Sequence, residues 1–158
     1  VRSRGLGDVY KRQLNAQGRY LRGLLALAAN DDSIASADFD VLEKLDPEGL
    51  ATAIGKASLL TKHGRAAEAL PYLRRMASLD PQPEHYAVLA ETLLSLGNLS
   101  EAGETIKTGM EKYPDNADLY FCRAKLHRDL YELDRAREDA KKALRLGIPR
   151  DKIKELKL

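Results

Sequence analysis

Apolar residues recur along this chain at helical spacing, in stretches that end at prolines set a nearly constant distance apart. Leu45-Asp46-Pro47 returns as Leu79-Asp80-Pro81 34 residues later; Tyr113-Pro114 follows after another 33, and Gly147-Ile148-Pro149 after another 35. A proline cannot continue a helix, so each one marks the turn that closes a unit. Between the prolines, residues such as Tyr86, Leu89, Ala90 and Leu93 fall at i, i+3, i+4 and i+7, one face of a helix. The period is that of a stacked repeat.

Counting the units from Ala16, Leu50, Pro83 and Ala117 brings further columns into line. The eighth position reads Gly23, Ala57, Ala90 and Ala124, and the twentieth Ala35, Ala69, Ala102 and Ala136. Small residues in both columns let two antiparallel helices approach closely. The fifteenth position reads Asn30, Gly64, Gly97 and Tyr131. Glycine and asparagine tolerate the left-handed backbone that ends a helix, so this column is a tight turn. Tyr131 departs from that chemistry and predicts a different geometry for the last turn. Each unit is therefore helix A, turn, helix B. The spacing predicts helices over 16–29 and 33–45, 48–62 and 65–79, 83–96 and 99–112, and 117–130 and 133–146. The units run about 16–49, 50–82, 83–116 and 117–148. Segment 149–158, with Ile153, Leu156 and Leu158, is expected to cover the open face of the last hairpin.

These columns resemble the tetratricopeptide repeat, whose pattern sets an aromatic, Leu-Gly, Tyr, then Ala, Phe and Pro across 34 residues. The third unit matches best, with Tyr86, Leu89, Ala90, Leu93, Ala102, Ile106 and Pro114. The first and fourth depart from it: Arg19, Arg22, Arg123 and His127 stand where apolar residues are usual. Gly18-Arg19-Tyr20 also looks like the turn of a preceding unit, which leaves two registers open for residues 14–30. The resemblance implies an all-α fold, a right-handed α-solenoid of about four helix-turn-helix units with a short C-terminal capping helix. It also implies a concave face lined by helix A. Carried over by position, that face comprises Tyr20, Leu24 and Leu27; Ile54, Ser58 and Lys62; Glu84, Ala87 and Glu91; and Asp118, Phe121, Lys125 and Arg128. The first of these groups is apolar and the last is charged. Leu24 and Leu27 can equally be read as packing against an upstream helix. The Lys and Asn pattern with which some members clamp a terminal carboxylate is not evident.

Composition adjusts the picture in two places. Hydrophobic residues make up 44% and charged residues 32%, which suits a chain with a core and not a disordered one. The net charge of +2 misleads. Residues 1–13 hold four Lys and Arg against one Asp, 4 − 1 = +3, so the remainder carries 22 against 23, a net of −1. Asp8-Val9-Tyr10-Lys11-Arg12-Gln13 resembles the in-frame translation of a sequencing-library adapter. Residues 1–13 are accordingly expected to be a non-native tail on a fragment whose true start is missing. Beyond it the charge is split: residues 14–122 hold 10 basic against 16 acidic groups, and residues 123–158 hold 12 against 7.

No catalytic constellation emerges. His63, His85 and His127 have no partner at zinc-ligand spacing. Cys122 is the single cysteine, lies inside a helix and has no histidine placed to activate it, so an inert buried thiol is expected. Asn98-Leu99-Ser100 matches a glycosylation sequon, but turn chemistry explains it as well. The reading is a non-catalytic scaffold binding a protein or peptide in the concave groove. It has no cofactor, no metal, no evident small-molecule substrate and no membrane span. The alternative is a repeat segment of a larger enzyme or signalling protein whose catalytic domain lies upstream. Nucleic-acid binding through the basic end is disfavoured, because Asp134-Arg135-Ala136-Arg137-Glu138-Asp139 interleaves both signs.

Overall fold

The computed structural model of the chain describes residues 2–158, with side chains from Leu6 onward, so Arg2 and Arg4 of the basic leading stretch lie outside the described side chains. The described residues are helical, with no strand among them: α1 (Arg2–Ala28), α2 (Asp32–Leu45), α3 (Leu50–Lys62), α4 (Ala66–Leu79), α5 (Pro83–Ser95), α6 (Leu99–Lys112), α7 (Ala117–Asp129), α8 (Leu133–Leu146) and α9 (Arg150–Lys154). They fall into two compact units, Val1–Met76 and Ala77–Leu158.

Helix α1 departs from the expected 16–29 by running upstream to Arg2. Nothing in residues 2–15 breaks it: there is no proline, and Leu, Arg, Lys and Gln propagate a helix that is already nucleated. Leu6, Val9, Tyr10 and Leu14 on this extension are all exposed, so it contributes nothing to the core. Gly18-Arg19-Tyr20 lies inside α1, which removes the alternative register with its turn there.

In the first unit α1, α2 and α3 pack on one another. Their core is Ala26, Ala35, Phe39 and Leu42, edged by Tyr20, Leu24, Leu27 and Leu59. Phe39 decides the geometry. Its ring lies between two glycines, and a Cβ on either Gly23 of α1 or Gly55 of α3 would come within 2.5 Å of it. Three helices meet around one buried ring because two of them present bare backbone.

In the second unit α5 packs on α6 and α7, α6 on α7, and α7 on α8. Gly109 of α6 makes room for Leu119 and Tyr86, whose nearest atoms would lie 3.0 and 3.1 Å from a Cβ there. A second cluster joins Phe121 and Ala124 of α7, Ala140 and Ala143 of α8, and Ile148 and Leu156, with Ile153 and Leu158 at its edge. The segment after Gly147 thus folds back onto the α7–α8 hairpin and buries Leu156 to 1% exposure.

One turn recurs between every helix A and helix B. Asn30, Gly64, Gly97 and Tyr131 take φ of 60, 70, 75 and 61°. The N–H that follows each bonds a carbonyl five residues back: Asp31 to Ala26, Arg65 to Leu60, Asn98 to Leu93 and Glu132 to His127, at 2.8–2.9 Å. This is the Schellman closure of a helix. Tyr131 was expected to depart from it and does not. Its side chain is 89% exposed, so the ring meets no obstacle and the backbone pairing sets the conformation. Asp31 caps α2 through Ile34 N–H and Asn116 caps α7 through Leu119 N–H.

Candidate functional site

The helix-A positions singled out above fall on two pairs of helices, one in each unit. In the first unit they lie on α1 and α3. Tyr20, Leu24 and Leu27 sit half-buried at the rim of the Phe39 core, and Ile54 and Ser58 are half-buried on α3. Burial pushes the Tyr20 hydroxyl above its ordinary pKa. Lys62 is exposed at the end of α3. Its Nζ donates to the Leu27 carbonyl at 3.2 Å and to Asp32 Oδ1 at 2.6 Å. A cation thereby meets the negative end of α1, and the Lys62 bond holds the Asp32 carboxyl below its ordinary range. His63 Nε2 lies 3.2 Å from the second oxygen of Asp32. The result is an apolar strip with one charged knot at its end.

In the second unit the positions lie on α5 and α7, and the surface is ionic. Glu84, Glu91 and Asp118 are exposed. Lys125 Nζ donates to Glu91 Oε1 at 2.6 Å and stands 4.5 Å from the centre of the Phe121 ring. Arg128 pairs with Asp129 at 2.7 Å. Two of the expected residues do not belong to this surface. Phe121 is 3% exposed, because Leu156 and its neighbours cover the ring. Ala87 is 6% exposed, and its carbonyl accepts from Cys122 Sγ at 3.7 Å. Both belong to the interior. Cys122 itself is buried, and burial pushes its thiol up to about 12, far from a reactive thiolate at neutral pH.

Two buried carboxylates were not anticipated. Asp38 has no exposed surface and takes Arg22 bidentately, at 2.6 Å to each oxygen, with Arg19 at 3.0 Å. Asp139 takes Arg123 bidentately at 2.7 and 2.8 Å. His127 Nε2 lies 3.6 Å from Asp139, while its Nδ1 meets Glu132 at 2.6 Å. The hydrogen bond from Arg22 holds the Asp38 carboxyl below its ordinary range, against the opposing pull of burial. These pairs explain the arginines at apolar columns in the first and fourth units. Each guanidinium, helix A position seven, is answered by an Asp 16 residues on in helix B. That spacing was the available signal. Among the described residues no buried side-chain polar atom lacks a partner, and no group of three or more His, Cys, Asp or Glu could hold a metal. Nor is any described helix long and apolar enough to cross a membrane.

Two sequence profiles described as tetratricopeptide repeat match the chain, over residues 20–84 and 60–126. Among curated proteins none matches. Of solved structures, a tetratricopeptide repeat protein from Parabacteroides merdae is 27% identical, with a TM-score of 0.66 over 89% of this chain and 56% of its own. A TPR protein of Thermus thermophilus is 24% identical, with a TM-score of 0.70 over 89% and 80%. MamA from Desulfovibrio magneticus is 20% identical, with a TM-score of 0.73 over 83% and 75%. The chain belongs to the tetratricopeptide repeat family. Its class is that of protein-interaction repeats, generally non-catalytic, whose partners are proteins.

Proposed function

We propose that the chain is a non-catalytic scaffold that holds a peptide or a partner helix against the helix-A faces of its repeats. One observation carries this reading. Leu24, Leu27 and Ile54 remain half-exposed on two neighbouring A helices after the Phe39 core has closed. An apolar strip framed by polar groups is what an amphipathic segment needs for its anchor residues. The exposed acids of α5 and α7, with Lys125 and Arg128, suit a segment of mixed charge in the same way.

The test uses a peptide-display library panned against the whole chain, followed by calorimetric titration of the selected peptides. Alanine at Tyr20, Leu24 and Ile54 is expected to weaken binding by at least about tenfold, the size of effect that truncated anchor residues show. Unchanged affinity in all three variants would remove the assignment. Glu91→Ala and Lys125→Ala test the ionic face separately, through the salt dependence of the peptides it selects.

A further inference from the structure

The first, third and fourth units each carry a cleft between helix B and the helix that follows it. The first and last occupy the same repeat positions and differ in charge. In the first unit the cleft has a volume of about 690 Å³, and its cations are answered from within. Lys56 meets Asp40 at 2.7 Å and Glu43 at 2.9 Å, while Arg75 meets Glu48 at 2.9 Å and the Pro47 carbonyl at 2.8 Å. The corresponding cleft between α8 and the α9 segment has a volume of about 380 Å³. Lys141 stands there at the repeat position of Asp40, and Leu144 at that of Glu43.

This second cleft has an apolar floor, chiefly Leu144, Ile153 and Leu158, and four cations around it: Arg137, Lys141, Lys154 and Lys157. Arg137 and Lys154 touch only exposed acids one turn away, Asp134 at 3.2 Å and Asp151 at 3.5 Å, which water and salt screen. Among the described residues no carboxylate answers Lys141 or Lys157. Like charges gathered around a recess repel one another and favour an anionic occupant. We infer that the α8–α9 cleft is a second docking site, separate from the helix-A faces, for an acidic protein segment that places one large apolar side chain on its floor. The floor argues for a side chain in place of a phosphate chain, since nucleic acid would want stacking aromatics and the cleft offers none. The apolar surface is recessed, whereas a membrane is met by apolar groups that protrude.

The probe is a fluorescein-labelled octapeptide of central Leu-Phe flanked on each side by three Asp or Glu. Two comparison peptides carry Lys for the acids or Ser-Ser for Leu-Phe. The acidic apolar peptide should bind the whole chain, weaken with salt, and lose at least about tenfold in affinity to Lys141→Glu with Lys157→Glu, as reversal of facing charges does. Circular dichroism of that variant should match the parent. Amide shifts should move in residues 137–158 and stay still in residues 84–95, which separates this site from the helix-A face. The inference falls if the double reversal leaves affinity intact or if Ser-Ser binds equally well. It also falls if oligothymidylate or phosphatidylserine vesicles bind where the peptide does not.

Discussion

Phe39 shows how far a single residue sets the packing of its neighbours. Alanine is a better helix former than glycine by about 1 kcal/mol, so Gly55→Ala would stabilise an isolated α3. Within the fold the added methyl would meet a fully buried ring at 2.5 Å. Overpacking of this kind costs about 1–3 kcal/mol, and thermal unfolding should therefore show a net loss of stability. Tyr131 runs the other way. It holds a left-handed backbone with an exposed ring that contributes no packing. Tyr131→Gly is expected to raise stability by about 0.5–1 kcal/mol in denaturant titration, after the extra entropy of glycine in the unfolded chain is subtracted. Asp38 adds a pH dependence. Its carboxyl is held below the ordinary range by Arg22, so its contribution is complete above the unfolded value of about 3.9 and is lost as pH falls through the folded value. Asp38→Asn should cost about 2 kcal/mol at neutral pH and flatten the acid limb of the stability profile. The arginines partnering Asp38 and Asp139 stood out in the sequence as misfits. Their acids did not, because a polar residue in helix B carries no sign of being buried.

At the scale of elements, the hairpins and their turns were legible because the same columns return four times. The long α1 and the burial of Phe121 were not. A helix that continues into an unpacked stretch leaves no periodic trace, and Leu14, Leu21 and Leu25 on α1 are exposed all the same. Phe121 sits at a column that resemblance assigns to the open face. What covers it is Leu156, beyond the last full unit and therefore outside any column. Leu156→Ala should accordingly destabilise the second unit by about 2–5 kcal/mol, the cost of emptying a well-packed site. It should also raise the solvent accessibility of Phe121, visible as faster exchange in α7 and α8. α9 is short, with five helical residues, yet it decides which aromatic is surface and which is core.

For the whole molecule, local contacts imply local consequences. The packed neighbours of α1 are α2 and α3, and those of α7 are α5, α6 and α8. In a repeat protein stability is a sum of unit and nearest-neighbour terms. Hydrogen exchange on Asp38→Asn should thus speed the amides of α1–α3 and leave those of α7 and α8 protected; equal loss everywhere would show a single cooperative block. The pairing of Arg22 with Asp38 and of Arg123 with Asp139 bears on how such a chain could be lengthened or shortened. The third unit has Leu89 and Thr105 at those positions. A crossover that joined its first helix to the second helix of a neighbouring end unit would strand a carboxylate in the interior with no counter-charge. Whole hairpins can be duplicated or deleted without that fault, and half-hairpins cannot. The smallest heritable module of this protein is therefore the matched pair of helices.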